Sequence, residues 1–236
     1  MKSSSPPVST RERLIVALDF PNQTKALALV SVLSGTVSIY KIGLQLYTAA
    51  GPEIVRAVAG TGAGIFLDLK LHDIPSTVAR AVAAAGELGV QMLTVHLSGG
   101  HAMLEAAVEM KPTNLTLLGV TVLTSATEET LRETGVNAPL DQQVIRLGEL
   151  GKKSGIDGLI TSPREVRFLR ERLGPEITLV TPGVRPTWAD ANDQKRFTTP
   201  HEALESGADY LVIGRPITAA ADPRGAMERL LEEIAN

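Results

Sequence analysis

Short β-branched and apolar runs recur along the chain. Each is followed by an Ala- and Leu-rich stretch whose apolar positions return at helical spacing. Eight runs read as strands: 14–18, 38–43, 64–70, 92–97, 117–123, 158–162, 177–181 and 210–214. Helical segments are predicted over about 22–34, 45–59, 75–88, 100–110, 140–153, 163–172, 200–206 and 223–235. Within 75–88, Val78, Ala81, Val82 and Ala85 form one apolar stripe. Pro75 suits its first turn and Gly89 its end. Eight strands alternating with eight helices in 236 residues predict a single-domain α/β protein, a (β/α)8 TIM barrel. A doubly wound open sheet is the alternative. The βα alternation is the only repeat, and no composition break marks a second domain.

Composition narrows this picture. Aromatics make up 3% of the residues, so the core rests on Val, Leu, Ile and Ala, which suits helices packed on a parallel sheet. Met1 to Thr10 is rich in Ser and Pro and lacks an apolar stretch. It reads as tail rather than signal peptide, so 1–12 is expected as a disordered tail, 13–236 as the barrel, and the cytoplasm as the compartment. No run is long and apolar enough to span a membrane as a helix. A net charge of -3 without a basic run argues against nucleic acid as a partner. There are no cysteines, and His72, His96, His101 and His201 lack ligand spacing, so no metal site is expected. No Gly-rich fingerprint follows the first strand, which argues against a dinucleotide cofactor.

In a (β/α)8 barrel chemistry sits at the C-terminal ends of the strands. Strand 1 ends in Asp19, strand 2 carries Lys41, and strand 3 carries Asp68 and Lys70 with Asp73 just beyond. Asp68 and Lys70 are two apart and share a face, set among Phe66, Leu67 and Leu69. Charges there are costly unless paired. Opposite charges 4 Å apart attract by about 4 kcal/mol at an effective dielectric near 20. An ion pair serving structure alone is one reading. Lys41 and Asp73 on the same rim favour a preorganised site of four alternating charges. His96, at the end of strand 4, is read as a supporting residue. Strand 5 is expected to end in Thr124 and Ser125.

A second constellation follows strands 7 and 8. Gly183, Arg185, Gly214 and Arg215 stand where such barrels often bind phosphate. A helix starting near Ile217 would add its N-terminus. A tight turn with a surface Arg is the plainer alternative. The polar stretch 187–199 reads equally as a lid or a solvated loop.

The string Phe66-Leu67-Asp68-Leu69-Lys70-Leu71-His72-Asp73-Ile74-Pro75-Ser76-Thr77 resembles the signature of the bacterial-type orotidine 5′-phosphate decarboxylases. Ala17-Leu18-Asp19, Lys41-Ile42-Gly43, Val95-His96-Leu97-Ser98-Gly99-Gly100, Val122-Leu123-Thr124-Ser125, Thr181-Pro182-Gly183-Val184-Arg185-Pro186, Asp193-Gln194 and Ile213-Gly214-Arg215-Pro216 extend the likeness from Leu14 to about Pro223. The resemblance implies conversion of orotidine 5′-phosphate to UMP and CO2, the last step of pyrimidine nucleotide synthesis, without metal or organic cofactor. It implies that Lys70 protonates C6, Asp68 lies beside the substrate carboxylate, and Asp19 and Lys41 hold ribose hydroxyls. Thr124 and Ser125 would contact the ligand. Arg185, Gln194, Gly214 and Arg215 would hold phosphate. Asp73 and Thr77 would reach into the neighbour's site in a homodimer. Two alternatives remain open: a related barrel decarboxylase or aldolase of a keto-sugar phosphate, typically metal-dependent, and a non-catalytic nucleotide-binding barrel.

Overall fold

The computed structural model describes residues 9–189 and 198–235. Eight parallel strands close into a barrel in sequence order. They are β1 (Leu14–Ala17), β2 (Ile39–Gly43), β3 (Gly64–Leu71), β4 (Met92–His96), β5 (Thr116–Val120), β6 (Gly158–Ile160), β7 (Thr178–Pro182) and β8 (Tyr210–Ile213). Side chains alternate across each strand, and the two sets bury in different places. Ile15, Ala17, Ile39, Phe66, Met92, Leu118, Val120, Ile160, Val180 and Val212 form one buried cluster drawn from all eight strands, the packed interior of the barrel. Their neighbours, such as Leu14, Tyr40, Ile65, Leu93 and Leu211, join helix residues in a larger cluster between sheet and helices.

The helices among the described residues are α1 (Gln23–Val32), α2 (Leu44–Ala50), α3 (Glu53–Ala59), α4 (Pro75–Glu87), α5 (Gly100–Met110), α6 (Glu128–Glu133), α7 (Leu140–Lys153), α8 (Val166–Leu173), α9 (Pro200–Glu205), α10 (Arg215–Thr218) and α11 (Pro223–Ala235). Local chemistry sets several of their ends. Asn22 caps α1 by accepting from the Lys25 amide, and Thr199 with Glu202 forms a capping box on α9. Pro75 opens α4, whose buried stripe includes Val78, Val82 and Ala85.

The structure corrects the sequence reading in five places. The single helix expected over 45–59 is two, because Pro52 has no N–H and pushes its predecessor out of the helical region. Helix α6 was not expected; Thr127 caps it ahead of Glu128 and Glu129. Strand β5 stops at Val120, where its partner β6 ends at Ile160, so Thr124 and Ser125 lie in the following loop. The helix after β8 begins at Arg215 rather than near Ile217 and is one turn long, too short for much macrodipole. Residues 9–13, placed largely in the expected tail, form a 3-10 turn capped by Ser9, and Arg11 donates to the Thr36 carbonyl at 2.7 Å. Residues 1–8 lie outside the described residues.

The N-terminal rim is tied by charge to backbone. Arg170 donates to the carbonyls of Gly174, Ile177 and Gly207 and pairs with Asp209 at 2.6 Å. The same Asp209 oxygen accepts the Leu179 amide at 2.7 Å. Arg13 donates to the carbonyls of Ala208 and Asp209. Asp157 accepts the Leu117 amide at 2.9 Å and pairs with Lys111 at 3.1 Å. Arg13, Arg170 and Asp209 thus fasten β1, β7 and β8, and Asp157 with Lys111 fastens β5 separately.

Candidate active site

Above the apolar interior, the inward positions of the first three strands turn charged. Ile15 and Ala17 lead in steps of two to Asp19, Ile39 leads to Lys41, and Phe66 leads to Asp68 and Lys70. These four side chains meet. Lys70 Nζ lies 2.8 Å from both Asp68 oxygens. Lys41 Nζ donates to Asp19 Oδ1 at 3.0 Å and lies 3.7 Å from Asp68 Oδ2. Asp68 is thereby held between two ammonium groups, with its side chain only 12% exposed. Partial burial reduces the screening by water, so the trio's field acts more strongly on whatever enters than it would at an open surface. Gly43 makes room for it. A Cβ there would stand 3.0 Å from Lys41 Nζ and 3.2 Å from Asp19 Oδ1.

The backbone at Lys70 is unusual. Its φ is 51°, and it is the sole non-glycine residue at positive φ among the described residues. Such a conformation costs on the order of 1–3 kcal/mol and concentrates at functional sites. It coincides with a bulge. The β3–β4 register runs Phe66 to Met92 and Leu67 to Leu93, then resumes at Leu71 with Val95. Four residues of β3 are spanned by two of β4, so β3 bends where it reaches the barrel mouth.

The array borders a cavity of about 320 Å³ whose wall includes Ala17, Asp19, Lys41, Asp68, Lys70, Val120, Leu123, Thr124, Gly183 and Gly214. One flank is thus charged and the other apolar, as a site for a flat, partly polar molecule requires. A neighbouring cavity of about 560 Å³ shares Leu123, Thr124, Pro182 and Gly183 and continues toward Ser162, Arg164 and Glu165. Gly183 has a φ of 79°, a left-handed turn that releases the chain after β7.

The remaining predicted residues divide. Arg185 is buried, and its amide donates to the Thr198 carbonyl at 3.1 Å; Arg215 is exposed at the start of α10, beside Gly214. Ser125 is exposed in the β5 loop and is absent from the cavity wall, whereas Thr124 forms part of it. Gln194 lies outside the described residues, as do most of 187–199. The rim array is smaller than expected in one respect. Asp73 is exposed, accepts the Ile74 amide at 2.6 Å, and among the described residues forms no ion pair. The bulge carries it past the mouth, so Lys41, Asp68 and Lys70, with Asp19, form the cluster. Thr77 and Ile74 are exposed on the same outer edge.

Sequence reasoning missed one contributor. Thr94 of β4 is fully buried, donates to Asp68 Oδ1 at 3.0 Å, and accepts the Lys70 amide at 2.8 Å. Strand parity would have found it, since Met92, Thr94 and His96 alternate inward. The His96 ring lies 5.7 Å from that of His72. Burial holds its pKa below the usual imidazole value, helped by His72 and Lys70 and opposed by Asp68. Among the described residues no group of three or more His, Asp or Glu is placed to hold a metal ion.

With this geometry in place, comparison with known proteins is informative. Residues 12–230 match the family described as orotidine 5′-phosphate decarboxylase / HUMPS. The chain is 48% identical to an orotidine 5′-phosphate decarboxylase of Syntrophotalea carbinolica, covering 97% of each sequence. It is also 48% identical to one of Geobacter sulfurreducens, over 95% of this chain and 96% of that protein. A crystal structure of orotidine 5′-phosphate decarboxylase from Lactobacillus acidophilus superposes with a TM-score of 0.84 at 38% identity, covering 95% of this chain and all of that one.

Proposed function

The chain belongs to the orotidine 5′-phosphate decarboxylase / HUMPS family, and from that membership we propose that it decarboxylates orotidine 5′-phosphate to UMP, with Lys70 as the proton donor to C6. The observation that carries the reading is the partly buried Lys41–Asp68–Lys70 array on the wall of a cavity whose other side is largely apolar. Breaking the bond from C6 to the carboxylate releases CO2 and leaves the electron pair on C6, in the plane of the ring. No adjacent π system absorbs that pair, so it must be stabilised through space. An ammonium at C6 does this and then transfers its proton there, becoming a neutral amine that recovers its proton from water.

Asp68 serves the same step from the other side. A substrate carboxylate placed beside it is repelled, and the repulsion ends as CO2 leaves without charge. Asp68 also holds Lys70 in position before substrate arrives, through both carboxylate oxygens. Asp19 and Lys41 form a donor–acceptor pair at the edge of the cavity suited to two vicinal hydroxyls of a ribose. Thr124 and Ser125 would contact the base from the β5 loop. Arg185, Gln194, Gly214 and Arg215 would hold the phosphate, whose binding energy orients the ring far from where the bond breaks. Asp73 and Thr77, exposed beside Ile74 at 64% exposure, would complete the neighbour's site in a homodimer. No metal or organic cofactor takes part in this scheme. The cytoplasm is the compartment we infer; among the described residues no helix is long and apolar enough to cross a membrane.

The alternative is a related barrel enzyme acting on a keto-sugar phosphate, typically metal-dependent, and the two chemistries separate in one assay. Purified protein with orotidine 5′-phosphate and excess EDTA is followed by ultraviolet absorbance. Full conversion to UMP is the expected result. No conversion with or without divalent metal overturns the reading, and turnover that EDTA abolishes moves the chain to the metal-dependent class.

A further inference from the structure

We propose that Thr94 is a positioning residue for the decarboxylation: its hydroxyl fixes the Asp68 carboxylate and the Lys70 backbone relative to one another. The inference rests on the reading above for the reaction, but its structural content stands on the geometry alone.

The bulge in β3 sets the requirement. Between Leu67 and Leu71 the strand leaves the β4 ladder, and there the Lys70 N–H meets a side-chain oxygen of β4 rather than a ladder carbonyl. An unmade bond at that depth is costly. Thr94 is the β4 residue facing the excursion, fully buried, and its Oγ1 accepts the Lys70 amide at 2.8 Å. An amide can only donate. The hydroxyl therefore spends a lone pair on it and keeps its own proton for an acceptor. That acceptor is Asp68 Oδ1, at 3.0 Å.

One oxygen atom thus joins the donor residue's backbone to the carboxylate that holds the donor's ammonium. The loop closes through Lys70 Nζ and Asp68. Two consequences follow. The left-handed conformation at Lys70 is held by a bond to its own amide. The Asp68 carboxylate is fixed in rotation as well as in place. A β-branched residue is well suited to the position, because its χ1 is stiff in a strand. Valine would keep the shape but supply neither bond, and serine would supply both with less stiffness.

The test compares Thr94→Val and Thr94→Ser with the native chain in kinetics, in UMP binding and by crystallography. A displacement of reacting groups by about 1 Å can lower turnover by about 10²-fold. The valine variant is expected to lose roughly 30–100-fold in kcat, with KM and UMP affinity nearly unchanged, since UMP lacks the carboxylate that Asp68 confronts. Serine is expected to restore most of kcat. In the crystal, the valine variant is expected to show the Asp68 carboxylate rotated or Lys70 moved from its left-handed conformation. Native kcat in the valine variant, or equal losses in valine and serine, would overturn the proposal. So would an unmoved Asp68–Lys70 pair in the valine crystal. Should the native chain not turn over orotidine 5′-phosphate, the functional reading falls, and the crystallographic comparison still decides the role of Thr94. If the valine variant does not fold, Thr94→Ala takes its place with the same readouts.

Discussion

The two rims of this barrel are both charged, and they use charge in opposite ways. At the N-terminal rim, Arg13, Arg170, Asp157 and Asp209 are bound largely to backbone carbonyls and amides of neighbouring strands. At the C-terminal rim, Lys41, Asp68 and Lys70 are bound mainly to one another, and Lys70 holds a strained φ. Charges spent on backbone fasten strands. Charges that are satisfied mainly by one another are poised to be rearranged by a ligand. One fold thus separates stability from chemistry along its axis, as the location of function in such barrels requires.

The contrast can be broken most directly at Lys70. Lys70→Ala is expected to lower kcat by at least about 10³-fold, since on the proposed mechanism it removes both the proton donor and the cation facing C6. Its melting temperature is expected within a few degrees of native. Retained turnover would take the chemistry away from this rim. Arg170→Ala should do the reverse. It deletes hydrogen bonds to three carbonyls and the partner of Asp209. A loss of about 3 kcal/mol in urea unfolding is expected, with kcat per folded molecule unchanged. A fall in kcat with little loss of stability would erase the distinction between the rims.

A smaller effect sharpens the comparison within the site. In Gly43→Ala the new methyl meets the ends of two flexible side chains, Lys41 and Asp19, rather than backbone. The fold should absorb it, while the Lys41–Asp19 pair proposed to hold the ribose shifts. A rise in KM of roughly tenfold is expected, with kcat and melting temperature little changed. A drop in kcat matching that of Lys70→Ala would instead place Lys41 in the chemical step.

How much of this was legible in the sequence follows from what each feature depends on. The barrel was legible because each strand carries its own apolar run and each helix its own stripe. Asp19, Lys41, Asp68 and Lys70 were legible because parity along a strand fixes which residues point inward. The β3 bulge was not, since it is a matter of register against β4 and leaves no mark on β3 alone. For that reason Asp73, read as the fourth charge of the rim array, stands outside it. Thr94 was overlooked because a threonine in a β-branched strand reads as ordinary strand chemistry until its partners are known. The break at Pro52 was written in the sequence, but the apolar pattern across 45–59 ran straight through it. Helix α6, six residues long, is too short to develop a stripe.

The smallest expected effect tests whether the two rims are electrostatically separate. His96 has a pKa held below the ordinary imidazole value, by burial first and then by His72 and Lys70. In the unfolded chain a histidine titrates near 6.5. Below about that pH the unfolded state therefore binds the proton that folded His96 resists. Because stability rises with pH wherever the unfolded state binds more protons, the contribution of His96 is complete above about 6.5 and is lost as pH falls below that value. His96→Asn should accordingly flatten the stability profile between about pH 5 and 6.5 relative to native. His101 and His201, on surface helices, remain in both proteins and cancel in the difference. Parallel profiles would mean that His96 titrates as it does in the unfolded chain. The cause can then be assigned by ring titration in NMR. Lys70→Ala removes one of the cations that lower this pKa and should move it upward, whereas Arg170→Ala, at the other end of the barrel, should leave it in place. A shift in the Arg170 variant would show that the rims communicate through the packed interior, and the division of labour along the axis would fail at its weakest coupling.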